Sequence, residues 1–241
     1  MKRKGSRALA LCLGVTLLSG CIEELETEPE VRSGLVVVNA FSEAEAVLHR
    51  LDVGSGLQSL NQGLGYPSVD FYVVPICDPC KMEVISSNEL ATVVDTGFTL
   101  QENKYYTSFL YGTEETPQHF LTADRVPADT EDPAEVAGLR FFNLAETPHR
   151  VTLHIADAEP ITAFRNRPKE TAETGKESAD FIPTTDTGTH VLTIRDENGE
   201  QLARRTGVAL DPGDYLTVFL TGSGEGETPF YIGVVRHPIL F

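Results

Sequence analysis

Beyond residue 34 the apolar positions fall in short runs rather than in helical stripes. Runs rich in valine or aromatic residues, such as "LVVVN", "VDFYVVPI", "YYTSFLY" and "YLTVFLT", are bounded by Gly, Pro, Asn and Asp. A helix would repeat its apolar positions every ~3.6 residues, and little of that period is present. The pattern predicts strands over Leu35–Asn39, Ala46–Val53, Val69–Ile76, Lys81–Ser86, Tyr105–Tyr111 and His119–Arg125. A second set is predicted over Leu139–Asn143, Arg150–Ala156, His190–Asp196, Gln201–Arg205, Tyr215–Thr221 and Phe230–Arg236. "DENGE" (Asp196–Glu200) places Asn-Gly between two of these runs, a signal for a type I′ hairpin turn. Tyr105, Tyr106, Tyr111 and Phe109 lie at strand spacing, so at least half of them are expected in the core rather than on a stacking platform.

The two sets are copies of each other. "GLVVVNA" (Gly34–Ala40) matches "GLRFFNL" (Gly138–Leu144) at an offset of 104 residues. "TGFTLQENKYYTSFLYG" (Thr96–Gly112) matches "TGVALDPGDYLTVFLTG" (Thr206–Gly222) at an offset of 110. Thr96, Gly97, Leu100, Tyr105, Thr107, Phe109, Leu110 and Gly112 are identical between the copies. The drift from 104 to 110 puts a six-residue excess in the second copy, and the polar run Arg165–Asp180 is its natural place. The expected fold is all-β, with two tandem antiparallel β-sandwiches of immunoglobulin or transthyretin-like type. Their expected bounds are residues 34–126 and 138–241, joined by an acidic, proline-bearing linker over 127–137.

The head of the chain supplies an address. "MKRKGSRALALCLGVTLLSGC" has a basic start, an apolar run from Ala8 to Leu18 too short to span a bilayer, and small residues before Cys21. Residues 1–20 therefore read as a signal peptide, and "LSGC" resembles the lipobox of bacterial lipoproteins. That resemblance implies acylation of Cys21 with more than one chain, which anchors durably where a single chain would not. The same resemblance implies the outer membrane, because Ile22 stands where an Asp tends to retain such lipoproteins in the inner one. Residues 21–33, "CIEELETEPEVRS", read as a lipidated acidic tether. The whole chain has a formal charge of −17, and removing four basic and no acidic residues with the signal takes it to −21. Such a charge repels phosphate backbones and argues against nucleic acid as a partner.

An opening strand ending in Asn-Ala, a Gly-x-Tyr-Thr-like strand near the end, and tandem copies behind a lipobox resemble one bacterial family. It is catalogued as domain of unknown function 4397, found as repeats in secreted or lipid-anchored proteins. The resemblance spans residues 34–241 and implies no catalytic residues. The first copy departs from it in carrying Asn103 where the second has Gly213.

"CDPC", Cys77–Cys80, is the sharpest candidate for chemistry. At the 110 offset Cys77 falls on Thr187 and Cys80 on His190, so the pair replaces a turn written "TGTH" in the other copy. A redox Cys-x-x-Cys ordinarily opens a helix whose dipole lowers the thiolate pKa, but here a strand follows and Asp78 and Glu83 are close. With Cys12 leaving in the signal and Cys21 acylated, Cys77 and Cys80 remain as a pair in an oxidising compartment, which favours a structural disulfide. A thiol–disulfide oxidoreductase, or an enzyme accessory using the pair, is the alternative. Zinc would need further ligands, and His49, His119, His149, His154, His190 and His237 show no paired spacing. "DENGE" lacks the alternating acids of a calcium loop, and "LTGSGEGE" (Leu220–Glu227) joins two strands as a loop. No catalytic residue, metal or cofactor is assigned. The function expected is a non-catalytic envelope scaffold or binder, with a protein or glycan partner.

Overall fold

A computed structural model describes residues 32–125, 130, 135–156, 158–224 and 228–237. The expected signal peptide, Cys21, the expected tether up to residue 31 and most of the expected linker lie outside them. The first copy contributes β1 (Arg32–Asn39), β2 (Ala46–Asp52), β3 (Gln58–Ser59), β4 (Leu64–Gly65), β5 (Ser68–Pro75), β6 (Cys77–Ser86), β7 (Thr92–Leu100), β8 (Tyr105–Gly112) and β9 (Pro117–Ala123). The second contributes β10 (Ala137–Asn143), β11 (Val151–Ile155), α1 (Ala172–Glu177), β12 (Ile182–Thr184), β13 (Gly188–Asp196), β14 (Gln201–Leu210), β15 (Tyr215–Thr221) and β16 (Tyr231–His237). The end of the expected tether and of the expected linker are thus already strand, because Arg32 pairs with Pro75 and Ala137 with Thr184.

Each copy folds as two facing sheets. Sheet A runs β5-β1-β8-β9 and faces sheet B, β3-β2-β6-β7, with β4 also paired to β2. Sheet C runs β12-β10-β15-β16 and faces sheet D, β11-β13-β14. Most neighbours are antiparallel, but β1 and β8 pair in parallel, as do β10 and β15. Leu35, Val37, Val47, Met82, Val84 and Leu110 fill the space between A and B, and Leu139, Phe141, Leu153, Ile194, Val218 and Leu220 that between C and D. The other side of β1, Val36 and Val38, joins Phe109, Tyr111 and Phe120 against Phe142, Leu144, Phe219 and Val235 of the second copy. Sheets A and C therefore pack on each other, and the four sheets stack in the order B, A, C, D. Residues 31–241 form one compact unit.

The shared sequence marks now have physical reasons. Asn39 and Asn143 are fully buried at the ends of their opening strands. Each amide holds the crossing loop: Asn39 Nδ2 donates to Leu64 O (2.8 Å) while Phe41 N donates to its Oδ1 (3.0 Å). Asn143 repeats this with Arg167 O and Ala145 N. Gly34 and Gly138 are glycines because the rings of Tyr105 and Tyr215 lie over them, within 2.2 and 2.3 Å of where a Cβ would stand.

Two expectations change, and one segment gains structure. Thr92–Leu100 is a strand that the apolar pattern missed, because Asp95 and Gly97 interrupt it and much of it faces solvent. The Asp196–Glu200 hairpin is not type I′: only Gly199 has positive φ (84°), and its N–H donates to Asp196 O (3.1 Å). A type I turn with a glycine bulge results, held by Asp196 Oδ1 accepting from Asn198 N (2.9 Å) and Glu200 N (2.8 Å). The polar insertion is also ordered in part, since α1 opens with a reciprocal Thr171–Thr174 capping box.

Candidate functional site

Cys77 and Cys80 form a disulfide (Cα–Cα 5.1 Å), as expected, but not in a turn before a strand. They sit inside β6. Cys77 pairs with Leu100 and Cys80 with Phe98, so three steps on β6 oppose two on β7. The second copy has no such excess, since Gly188 pairs with Leu210 and His190 with Val208. CDPC is therefore a one-residue β-bulge clipped by its own disulfide, and Gly188, not Thr187, stands where Cys77 does. Cys80 is 1% exposed. Asp78 Oδ1 accepts from Thr99 Oγ1 (2.8 Å), Glu83 pairs with Arg50 (2.9 Å), and Lys81 pairs with Asp95 (2.9 Å). A shallow groove of about 420 Å³ beside the bridge is lined by Asp52, Pro79, Lys81, Asp95 and Thr96. Carboxylates dominate this surface and the amine is already paired, which is poor support for a nucleophilic thiolate.

The histidines serve the fold. His49 is fully buried beside Asn61, and burial together with His119 lowers its pKa to about 4. His119 Nε2 lies 2.9 Å from Ser108 Oγ, a hydroxyl–imidazole pair that resembles a nucleophile and base. Ser108 is 0% exposed, so no substrate carbonyl reaches it. Among the described residues one group of potential metal ligands converges, His149, Asp196 and Glu197. His149 Nδ1 is 2.9 Å from Glu197 Oε1, and both oxygens of Asp196 are taken by the turn. This is an ion pair over a hairpin.

Sequence reasoning missed the polar centre between sheets A and C. Arg140 on β10 is 1% exposed, although the same place in the first copy is Val36. Its Nη2 donates to Asp124 Oδ1 (2.6 Å), its Nε to Thr217 Oγ1 (2.6 Å) and its Nη1 to Ala179 O (2.9 Å). The guanidinium lies 4.5 Å from the Phe181 ring centre. Thr107 donates to Asp124 Oδ2 (2.8 Å), and Thr217 Oγ1 meets His237 Nε2 (2.7 Å). His237 Nδ1 faces Asp124 Oδ2 at 3.2 Å. Burial raises the Asp124 pKa, but Arg140 and His237 outweigh it and hold the carboxyl well below its usual range. Burial lowers His237, so its neutral form is favoured. With Thr217 donating to Nε2, the Nδ1–H is the one that faces the carboxylate. A visible signal existed: an arginine inside the apolar run "GLRFFNL".

The second missed feature is at the surface. Val69, Phe71 and Val73 of β5 are 39, 43 and 54% exposed, on the same side of sheet A as Val36 and Val38. Phe71 stacks on Tyr105 (centroids 6.1 Å apart). Of the four aromatics placed on that pattern, Tyr106, Tyr111 and Phe109 are buried as expected. β5 is an edge strand of its sheet. The Phe71 N–H donates to Asp70 Oδ1 (2.8 Å) and so points away from β1, toward the open edge. Tyr72 OH donates to Asp70 Oδ2 (2.5 Å), fixing that carboxylate.

No protein-family model matches the sequence, and no curated protein matches it. Among solved structures, the chain is similar to a carbohydrate-binding module of family CBM26 from Eubacterium rectale Amy13K, crystallised with maltoheptaose. The identity is 9%, over 82% of this chain and 96% of that one, with a TM-score of 0.29. It is also similar to a candidate adhesin from Bacteroides ovatus, at 11% identity over 87% and 95%, with a TM-score of 0.22. Neither likeness is near enough to transfer a ligand.

Proposed function

We propose that the protein is a non-catalytic module of the outer membrane, anchored through acyl chains on Cys21, that binds a protein or glycan of the cell envelope. The observation that carries the reading is the open edge strand β5, a template for pairing whose apolar side chains the fold itself does not bury. The arrangement of the ionisable groups supports it: Arg140, Asp124 and His237 are committed to packing one copy on the other. The acidic surface around the Cys77–Cys80 bridge gives the oxidoreductase alternative less support. The test is to immobilise the full chain in detergent and screen it against envelope fractions and glycan arrays. A retained partner released by Phe71→Ser is the expected result. Multiple-turnover insulin reduction lost on replacing Cys77 and Cys80 would replace this reading with the oxidoreductase one.

A further inference from the structure

The two copies differ most, in function-bearing terms, along their outermost strands. By the pairing of Leu35 with Tyr72 and of Leu139 with Ile182, Phe181 stands in the second copy where Phe71 stands in the first. Phe181 is 2% exposed, covered by Tyr215, His237 and Arg140, and stands just before a strand three residues long. Phe71 is 43% exposed on a strand of eight. The stripe it belongs to continues an established interface, since Val36 and Val38, its neighbours across the ladder, are already buried against the second copy.

The area and the charge identify the occupant. The stripe offers on the order of 200 Å², against ~800 Å² per partner in a standard interface, so a second globular copy docking on its side chains alone would not hold. A strand added at the edge needs less, because main-chain hydrogen bonds contribute affinity and alternate side chains contribute specificity. The N–H of Phe71 faces that edge, and those of Val69 and Val73 share its side by the period of two. Asp70 covers the central donor, which keeps the edge from pairing indiscriminately. A two-fold pairing of β5 with another β5 would also bring Asp70 near its like, whereas a basic side chain would draw the carboxylate off the Phe71 amide.

Building on the binding-module reading, we propose that β5 accepts an extended polypeptide segment as an added strand of sheet A. The segment carries apolar residues at alternate positions, over Val69, Phe71 and Val73, and a Lys or Arg on its other face opposite Asp70. The probe is Thr-Val-Lys-Val-Thr-Val-amide carrying fluorescein on its N-terminus through a Gly-Gly spacer, titrated by anisotropy against the full chain in detergent, with a Glu-for-Lys peptide as control. Saturable binding is expected, at least 10-fold weaker for the Glu peptide and for Phe71→Ser, with slowed amide exchange at Val69 and Val73. Asp70→Asn should abolish the preference for Lys. Phe71 is half exposed, so its serine variant should fold, and its melting temperature checks this. No binding, or binding indifferent to both substitutions, overturns the proposal; so does a dimer in sedimentation equilibrium that Phe71→Ser disrupts. Capture of a glycan or a lipid vesicle through β5 would overturn the strand acceptor yet keep the binding module, whereas catalytic turnover would remove the module reading itself.

Discussion

Neutralising Asp124 tests the interface between the two copies. Asp124→Asn keeps the shape and the Thr107 contact but leaves the Arg140 guanidinium, 1% exposed, without its counter-charge. Exposed ion pairs are worth ~0–1 kcal/mol, but removing one partner of a buried pair costs about 3–5 kcal/mol. At ~2–4 °C per kcal/mol for a unit of this size, the melting temperature should fall by roughly 6–20 °C. Arg140→Val, which writes the first copy's Val36 into the second, should cost a similar amount by stranding Asp124. The double variant Arg140→Val/Asp124→Val should recover most of the loss, since apolar replacement of a buried pair is often neutral or stabilising. The assay is urea unfolding followed by circular dichroism, read as a double-mutant cycle with Asp124→Val and Arg140→Val as its two single variants. The acid limb gives an independent sign. Because the folded carboxyl is held below its usual range, its stabilisation is complete above pH ~4 and is lost as pH falls further, toward the folded pKa. A cost below ~1 kcal/mol for Asp124→Asn, or a double variant as damaged as the singles added together, would refute the buried lock.

Other outcomes follow from single sites. Replacing both Cys77 and Cys80 by Ser should cost about 2 kcal/mol by the chain-entropy argument and leave the fold intact, and peptide mapping without reductant should recover the bridge. His49, with its pKa lowered to about 4, stays neutral in the fold while the unfolded chain takes up its proton near pH 6.5. Stability should be full above pH 6.5 and fall toward pH 4 by on the order of 3 kcal/mol, and His49→Gln should flatten that slope in unfolding titrations. Cys21→Ser should abolish lipid labelling and release the protein from the membrane fraction; retention would refute the anchor.

Much of the architecture was legible because strands and duplication write themselves in apolar runs and repeated turn residues. Leu35–Asn39 and Tyr215–Thr221 announce buried strands by valine and aromatic content. The strand Thr92–Leu100 does not, since half its side chains meet water. The CDPC bulge was hidden for a different reason: a constant offset cannot reveal a one-residue excess that a later segment compensates, and only the ladder shows Cys80 and His190 in one place. The interface was legible only through Arg140. A lone arginine in an apolar run states that a partner exists without saying where, and its partner, Asp124, comes from the far end of the other copy.

The two copies are related across their interface much as subunits of a dimer would be, and their divergence follows from that arrangement. Thr107 and Thr217 are equivalent, each next to the polar residue at the end of its last strand. Asp124 lies opposite Tyr105 as His237 lies opposite Tyr215, so one place is acidic in the first copy and a histidine in the second. Two identical copies would put aspartate against aspartate or imidazole against imidazole, and neither arrangement holds Arg140. Gly233 faces Phe219 where Phe120 faces Phe109, and a Cβ there would stand 2.0 Å from the ring, so the aromatic layer has room for one side's bulk only. The vacated volume lets Phe109 and Phe120 meet Phe142 at 5.1 and 5.3 Å. The insertion completes the asymmetry, with Gly175 of α1 resting on the Phe120 ring and Glu170 O accepting from Tyr111 OH (3.1 Å). Each substitution that fits one sheet to the other also fixes which copy faces inward with its charges. The second copy's outer strand is shortened and its Phe181 covered by the same residues that build the lock. The first copy keeps β5 long and open, so an exposed apolar edge survives on one copy and not on its counterpart.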